Sequence, residues 1–115
     1  MKKLSAVPEK VAARILSKVS FENRFIGGRL RHHAGMKRVT SYRFEEIIHL
    51  LNDPWPVLNP EALGRWIREV MSDVDLAEEI ARVIETESSY PIITSHIRSL
   101  MEERLDQCRR LALHL

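Results

Sequence analysis

The sequence predicts an all-α fold: a compact bundle of about five helices, in one domain over residues 1–115, with a long helix at the C-terminal end. Three observations carry this expectation. Apolar residues recur at helical spacing in successive stretches of the chain. Prolines and capping residues separate those stretches. No run alternates apolar and polar residues as a half-buried strand does. A chain of 115 residues that is 44% hydrophobic can build one core without disulfides or metals.

Pro8 suits a first helical turn, and Val11, Ile15, Leu16 and Val19 follow at helical spacing, so a first helix is expected near 8–20. Gly27, Gly28 and Gly35 punctuate residues 27–39, and no helix is assigned there. Thr40 or Ser41 offers an N-cap before Phe44, Ile47, Ile48 and Leu51, which form a core-facing stripe on a second helix near 41–52. Asn52-Asp53-Pro54-Trp55-Pro56 cannot continue that helix, because each proline lacks an N–H and pushes its predecessor out of the α region. Asn59-Pro60 starts a third helix near 60–72 with Leu63, Trp66, Ile67, Val70 and Met71 inward. Ser72 and Asp75 resemble a capping box for a fourth helix near 74–86, carrying Leu76, Ile80, Val83 and Ile84. After a turn through Thr86–Pro91, the stripe Ile93, Ile97, Leu100, Met101, Leu105, Cys108, Ala112 and Leu115 marks the last helix. At about 23 residues it would be about 35 Å long.

The net charge of +2 hides a polarity. Up to Arg43 there are eleven Lys and Arg against Glu9 and Glu22, a balance of +9, whereas from Phe44 onward seven Arg face fourteen Asp and Glu, a balance of −7. Such asymmetry favours an anionic partner at one end or self-complementary association. Cys108, the single cysteine, fits a reducing compartment, Pro8-Glu9-Lys10 interrupts any apolar leader, and no apolar run approaches the roughly 20 residues of a membrane span. A soluble, cytoplasmic protein is the expectation.

Catalytic and metal chemistry find little footing. Glu46-Ile47-Ile48-His49 has the Glu-x-x-His spacing of di-iron bundles, but a second copy is missing. His32 and His33 are adjacent and would point apart on a regular element. Cys108 falls on the apolar stripe, where burial raises a thiol's pKa. No nucleophile elbow, Walker loop or dinucleotide fingerprint occurs. No catalytic, cofactor or metal residue is assigned.

Two surfaces remain. Residues 24–43 gather Arg24, Arg29, Arg31, His32, His33, Lys37, Arg38 and Arg43 among flexible glycines, a segment that could follow a phosphate backbone, with Phe25 or Tyr42 to stack on bases. Trp55 on its proline-stiffened connector, with Leu105, Leu111 and Leu115 on the last helix, forms the expected protein interface. For Trp55 itself, burial as a lid over the core is the favoured reading, and anchoring a partner is the other. Trp66 is assigned to the core. The resulting expectation is a non-catalytic helical interaction or scaffold module, docking on a protein partner or on itself as a homodimer, with nucleic-acid binding through residues 24–43 as the alternative.

Overall fold

In the computed structural model, which describes residues 4–114, helices occupy Glu9–Ile15 (α1), Phe44–Leu51 (α2), Pro60–Glu69 (α3), Val74–Thr86 (α4) and Tyr90–Leu113 (α5). The glycine-punctuated segment is not a loop. It folds as two strands, Phe25–Arg31 (β1) and Gly35–Ser41 (β2), and a short third strand, Pro56–Val57 (β3), pairs on the other side of β1. The result is a three-stranded antiparallel sheet of order β2-β1-β3. The expected all-α bundle is therefore corrected to a mixed α/β fold.

The physical reason lies in what the strands bury. On the inner face of β1, Phe25 packs into the core, and a Cβ on Gly27 would meet Leu50 Cδ2 at 2.7 Å and the Val57 carbonyl at 3.1 Å. Glycine fits there because the buried Leu50 side chain of α2 packs directly on the β1 backbone and the Val57 carbonyl of the neighbouring strand closes the space beside it. The next inner positions are Arg29 and Arg31, so the inward row carries no apolar alternation. Gly35, at φ 71°, and His33, at φ 67°, supply the left-handed residues that close the hairpin turn.

Helix ends follow their local chemistry. Asn59 accepts from the Ala62 N–H at 3.1 Å and Pro60 opens α3. Glu46 Oε1 reaches back to the Tyr42 and Arg43 N–H groups at 2.6 and 3.1 Å, so α2 begins at Phe44. The cap of α4 is Asp73, which accepts from the Leu76 N–H at 3.1 Å, and not the Ser72 expected from sequence. Ser72 instead takes the left-handed conformation, φ 59°, that turns α3 into α4.

The core sits between the inner face of the sheet and α2–α5, with Phe44, Ile47, Leu50, Leu63, Ile67, Leu76, Ile80, Ile97 and Leu100 sealed from solvent. Arg104, midway along α5, is fully buried among them. Its Nε and Nη2 donate to Asp73 at 2.8 and 3.0 Å, Nη2 also to Asp75 at 3.1 Å, and Nη1 to the Ser5 carbonyl and Gln107 Oε1 at 2.7 Å each. Asp75 in turn accepts from the backbone and hydroxyl of Ser5 at 3.0 and 2.8 Å. One guanidinium thus joins the N-terminal segment, the α3–α4 turn and α5.

Trp66 packs edge-on to Phe25, with ring centroids 6.0 Å apart, and its indole N–H donates to the Asn23 carbonyl at 2.6 Å. It clamps the start of the hairpin to α3. Trp66→Ala is expected to cost roughly 3–5 kcal/mol through lost burial and a residual cavity. Denaturant unfolding checks this: an unchanged midpoint would show that the hairpin does not depend on the clamp.

Candidate functional site

The site is built from Asp53 outward. Asp53 Oδ2 accepts from the Trp55 N–H at 3.0 Å, an Asx-type turn, and Pro54 and Pro56 fix the flanking φ angles. The connector is therefore stiff. Its other end is pinned by Tyr90, the first residue of α5, whose hydroxyl donates to the Pro56 carbonyl at 2.9 Å and accepts from the Leu58 N–H at 3.1 Å. Between connector, sheet and α5 lies a cleft of about 590 Å³ lined mainly by Leu30, Leu51, Pro54, Trp55, Pro56, Val57, Tyr90 and Pro91, with Thr94, Ser95 and Arg98 along one wall.

Trp55 stands at the rim of this cleft with 66% of its surface in water, so the expectation of burial as a lid is corrected. Around it the outer face of the sheet carries four exposed apolar residues, Ile26, Leu30, Met36 and Val57, beside Arg38 and Thr40, and the Met36 thioether lies over Gly28. Sequence reasoning missed these four because it assigned no strand to residues 25–41 or 56–57. Asp53 was legible as an Asx-Pro pair.

The same Asp53 gathers two of the basic residues. Arg31 makes a bidentate pair with it at 2.9 and 3.1 Å, and Arg29 Nε lies 3.6 Å away. The Arg31 guanidinium and the Trp55 N–H hold the Asp53 carboxyl below its ordinary pKa, and the carboxylate raises that of Arg31. Stability from this pair is thus present above the usual carboxylate range and lost as pH falls through the depressed value.

The remaining members of the basic segment do not converge. Arg24 stacks on Phe21 at 3.8 Å and donates to its carbonyl at 2.8 Å, and Arg43 donates to the Leu16 carbonyl at 3.4 Å. His32 and His33 meet edge-to-face at the hairpin tip, with centroids 3.9 Å apart and ring planes at 60°. Lys37 and Arg38, neighbours on one strand, project from opposite faces of β2. Phe25 is buried in the core and not available for stacking, while Tyr42 lies under the Lys18 ammonium at 5.6 Å.

On α5, Leu105 is buried within its own chain and Leu111 packs half-buried against the same core, so the overhang on which self-association rests is not present at these residues. Leu113 is exposed, and Leu115 lies outside the described residues. Cys108 is buried beside Arg104, and burial pushes its thiol up to about 11, which leaves it protonated and unreactive at neutral pH. Among the described residues, no group of three His, Cys, Asp or Glu could hold a metal ion, and no helix is long and apolar enough to cross a membrane.

Removing the Asp53 charge should free both guanidinium groups while an Asn side chain still accepts from Trp55. Asp53→Asn is expected to raise the salt needed for elution from immobilised heparin by more than Glu85→Gln, the same charge change on the exposed side of α4. Equal shifts would show that Arg29 and Arg31 are already available to anions.

Comparison with protein-family models, with curated proteins and with solved structures finds no match to this chain, so its function rests on the geometry of the cleft and hairpin.

Proposed function

We propose that the chain is a non-catalytic protein-interaction module that docks a partner protein on the Trp55 cleft. The observation that carries this is an indole 66% exposed on a backbone fixed by Asp53 and two prolines, at the rim of an apolar cleft of about 590 Å³. An exposed aromatic on a stiff loop has already lost most of the backbone freedom that binding would otherwise remove. Its desolvation in a partner's pocket is the kind of contact that dominates interface energetics. The neighbouring exposed Leu30, Val57 and Tyr90 extend the surface on either side of the ring.

Nucleic-acid binding through residues 24–43 is the competing reading. It has less support, because Arg29 and Arg31 share one carboxylate and Lys37 and Arg38 point to opposite faces. A phosphate backbone needs several cations on one surface.

A photo-reactive benzoylphenylalanine placed at Trp55, and separately at Glu85 as a control, tests the reading in cells that express the chain. A discrete protein adduct from position 55 and none from 85 is expected, and Trp55→Ala should weaken the purified complex about 30-fold, corresponding to about 2 kcal/mol, without shifting the melting temperature. Nuclease-sensitive adducts, or identical patterns from both positions, would overturn it.

A further inference from the structure

The sheet ends at β2, and the register reveals which of its backbone groups are unpaired. The Leu30 N–H donates across to the Trp55 carbonyl at 3.0 Å, so the even-numbered residues of β1 aim their backbone groups toward β3 and the odd-numbered ones toward β2. Arg29 pairs with Lys37 and Gly27 with Val39. It follows that Met36, Arg38 and Thr40 direct their N–H and C=O groups away from the sheet. Every residue from Gly35 to Arg38 is exposed, as is Thr40. The parity is confirmed at the end of the strand, where the Tyr42 carbonyl, next in the outward series, accepts from the Val19 N–H at 2.7 Å. The edge is thus already paired at one point and open along the rest.

We propose that this open edge of β2 takes an acidic, extended segment of a partner protein as a fourth strand, hydrogen-bonded to Met36, Arg38 and Thr40. The inference rests on the reading of the chain as a protein-binding module, but it uses the opposite edge of the sheet from Trp55. Strand addition draws affinity from main-chain hydrogen bonds and specificity from alternating side chains. Here the charges choose the occupant. Lys37 and Arg38 make no ion pair among the described residues, and they lie on opposite faces, so a strand with two consecutive carboxylates satisfies both. The exposed Met36 and Leu30 give an apolar residue of that strand a surface on the outer face. A second copy is disfavoured, because pairing β2 with itself in antiparallel fashion sets Lys37 and Arg38 against their own like charges.

The test uses the whole chain and two acetylated octapeptides, Thr-Val-Thr-Glu-Glu-Val-Thr-Val and its twin with Lys-Lys at the centre, read by amide hydrogen exchange in NMR spectra. The acidic peptide at millimolar concentration is expected to slow exchange at Met36, Arg38 and Thr40 at least about tenfold while leaving Lys37 and Val39 unchanged, since those are paired to β1 already. The basic twin should have no effect. A Lys37→Glu, Arg38→Glu double variant, checked for an unchanged spectrum elsewhere, should reverse the preference. Trp55→Ala should leave the slowing intact, which separates this edge from the cleft. The proposal is overturned by any of four results: no slowing, equal slowing by both peptides, slowing that grows with protein concentration alone, or stronger slowing by oligothymidylate than by the acidic peptide. It is also overturned if Trp55→Ala abolishes the effect, because the peptide would then occupy the cleft.

Discussion

The arrangement of the helices depends on one buried cation. Arg104 enters the core with no solvent contact, and taking a guanidinium out of water is tolerable only when its donors are met. Asp73, Asp75, Gln107 and the Ser5 carbonyl meet them at 2.7–3.1 Å. Each acceptor comes from a different constraint. Asp73 is simultaneously the cap of α4, Asp75 is held by Ser5, and Gln107 follows one turn later on α5. A shift of α5 by one residue along its axis would strand the charge, so the pair fixes the register of the longest helix as well as its depth. An apolar residue at 104 could fill the space without imposing that register.

With the helices locked, the sheet is free to be exposed. It meets the core through its inner face, at Phe25, Gly27, Val39 and Ser41, and is held at one end by Trp66 and at the other by Asp53. Asp53 is to the sheet what Asp73 is to the helices: one carboxylate that shapes a turn and neutralises arginines at the same time. The consequence is a division of the surface. The strongly basic first part of the chain spends Arg24, Arg29, Arg31 and Arg43 on internal contacts, and what remains outward is the Trp55 indole, the apolar residues of the outer sheet face, and the β2 edge with Lys37 and Arg38.

The helices were legible from sequence because their inward rows are apolar at 3.6-residue spacing, as in Phe44, Ile47, Ile48 and Leu51, and because Asn59-Pro60 marks a start unambiguously. The hairpin was not legible. Its inner row reads Phe25, Gly27, Arg29, Arg31, and its outer row carries Ile26, Leu30 and Met36, so the usual alternation is inverted where solvent and core exchange roles. Glycines that look like punctuation are packing sites, as Gly27 against Leu50 demonstrates. Trp55 was visible as a candidate contact residue, but its connector is held by the Asp53 turn and by the Tyr90 hydroxyl on the Pro56 carbonyl, a bond 34 positions apart in the chain that no local pattern reveals. Arg104 gave no signal at all, since an arginine among Glu102, Glu103 and Asp106 reads as one more residue of a solvated helix face.

The central claim, that Arg104 and Asp73 act as a unit on which the helical frame depends, is tested most directly by a double-mutant cycle in denaturant unfolding with Arg104→Met and Asp73→Asn. Asn retains the cap and removes the charge, and Met fills the volume without the donors. Each single change is expected to cost about 3–5 kcal/mol, because it leaves its partner charged and buried, and the double variant should cost less than the sum by about 2 kcal/mol or more. Additivity within about 0.5 kcal/mol would contradict the claim and show that α5 is held in register by apolar packing alone.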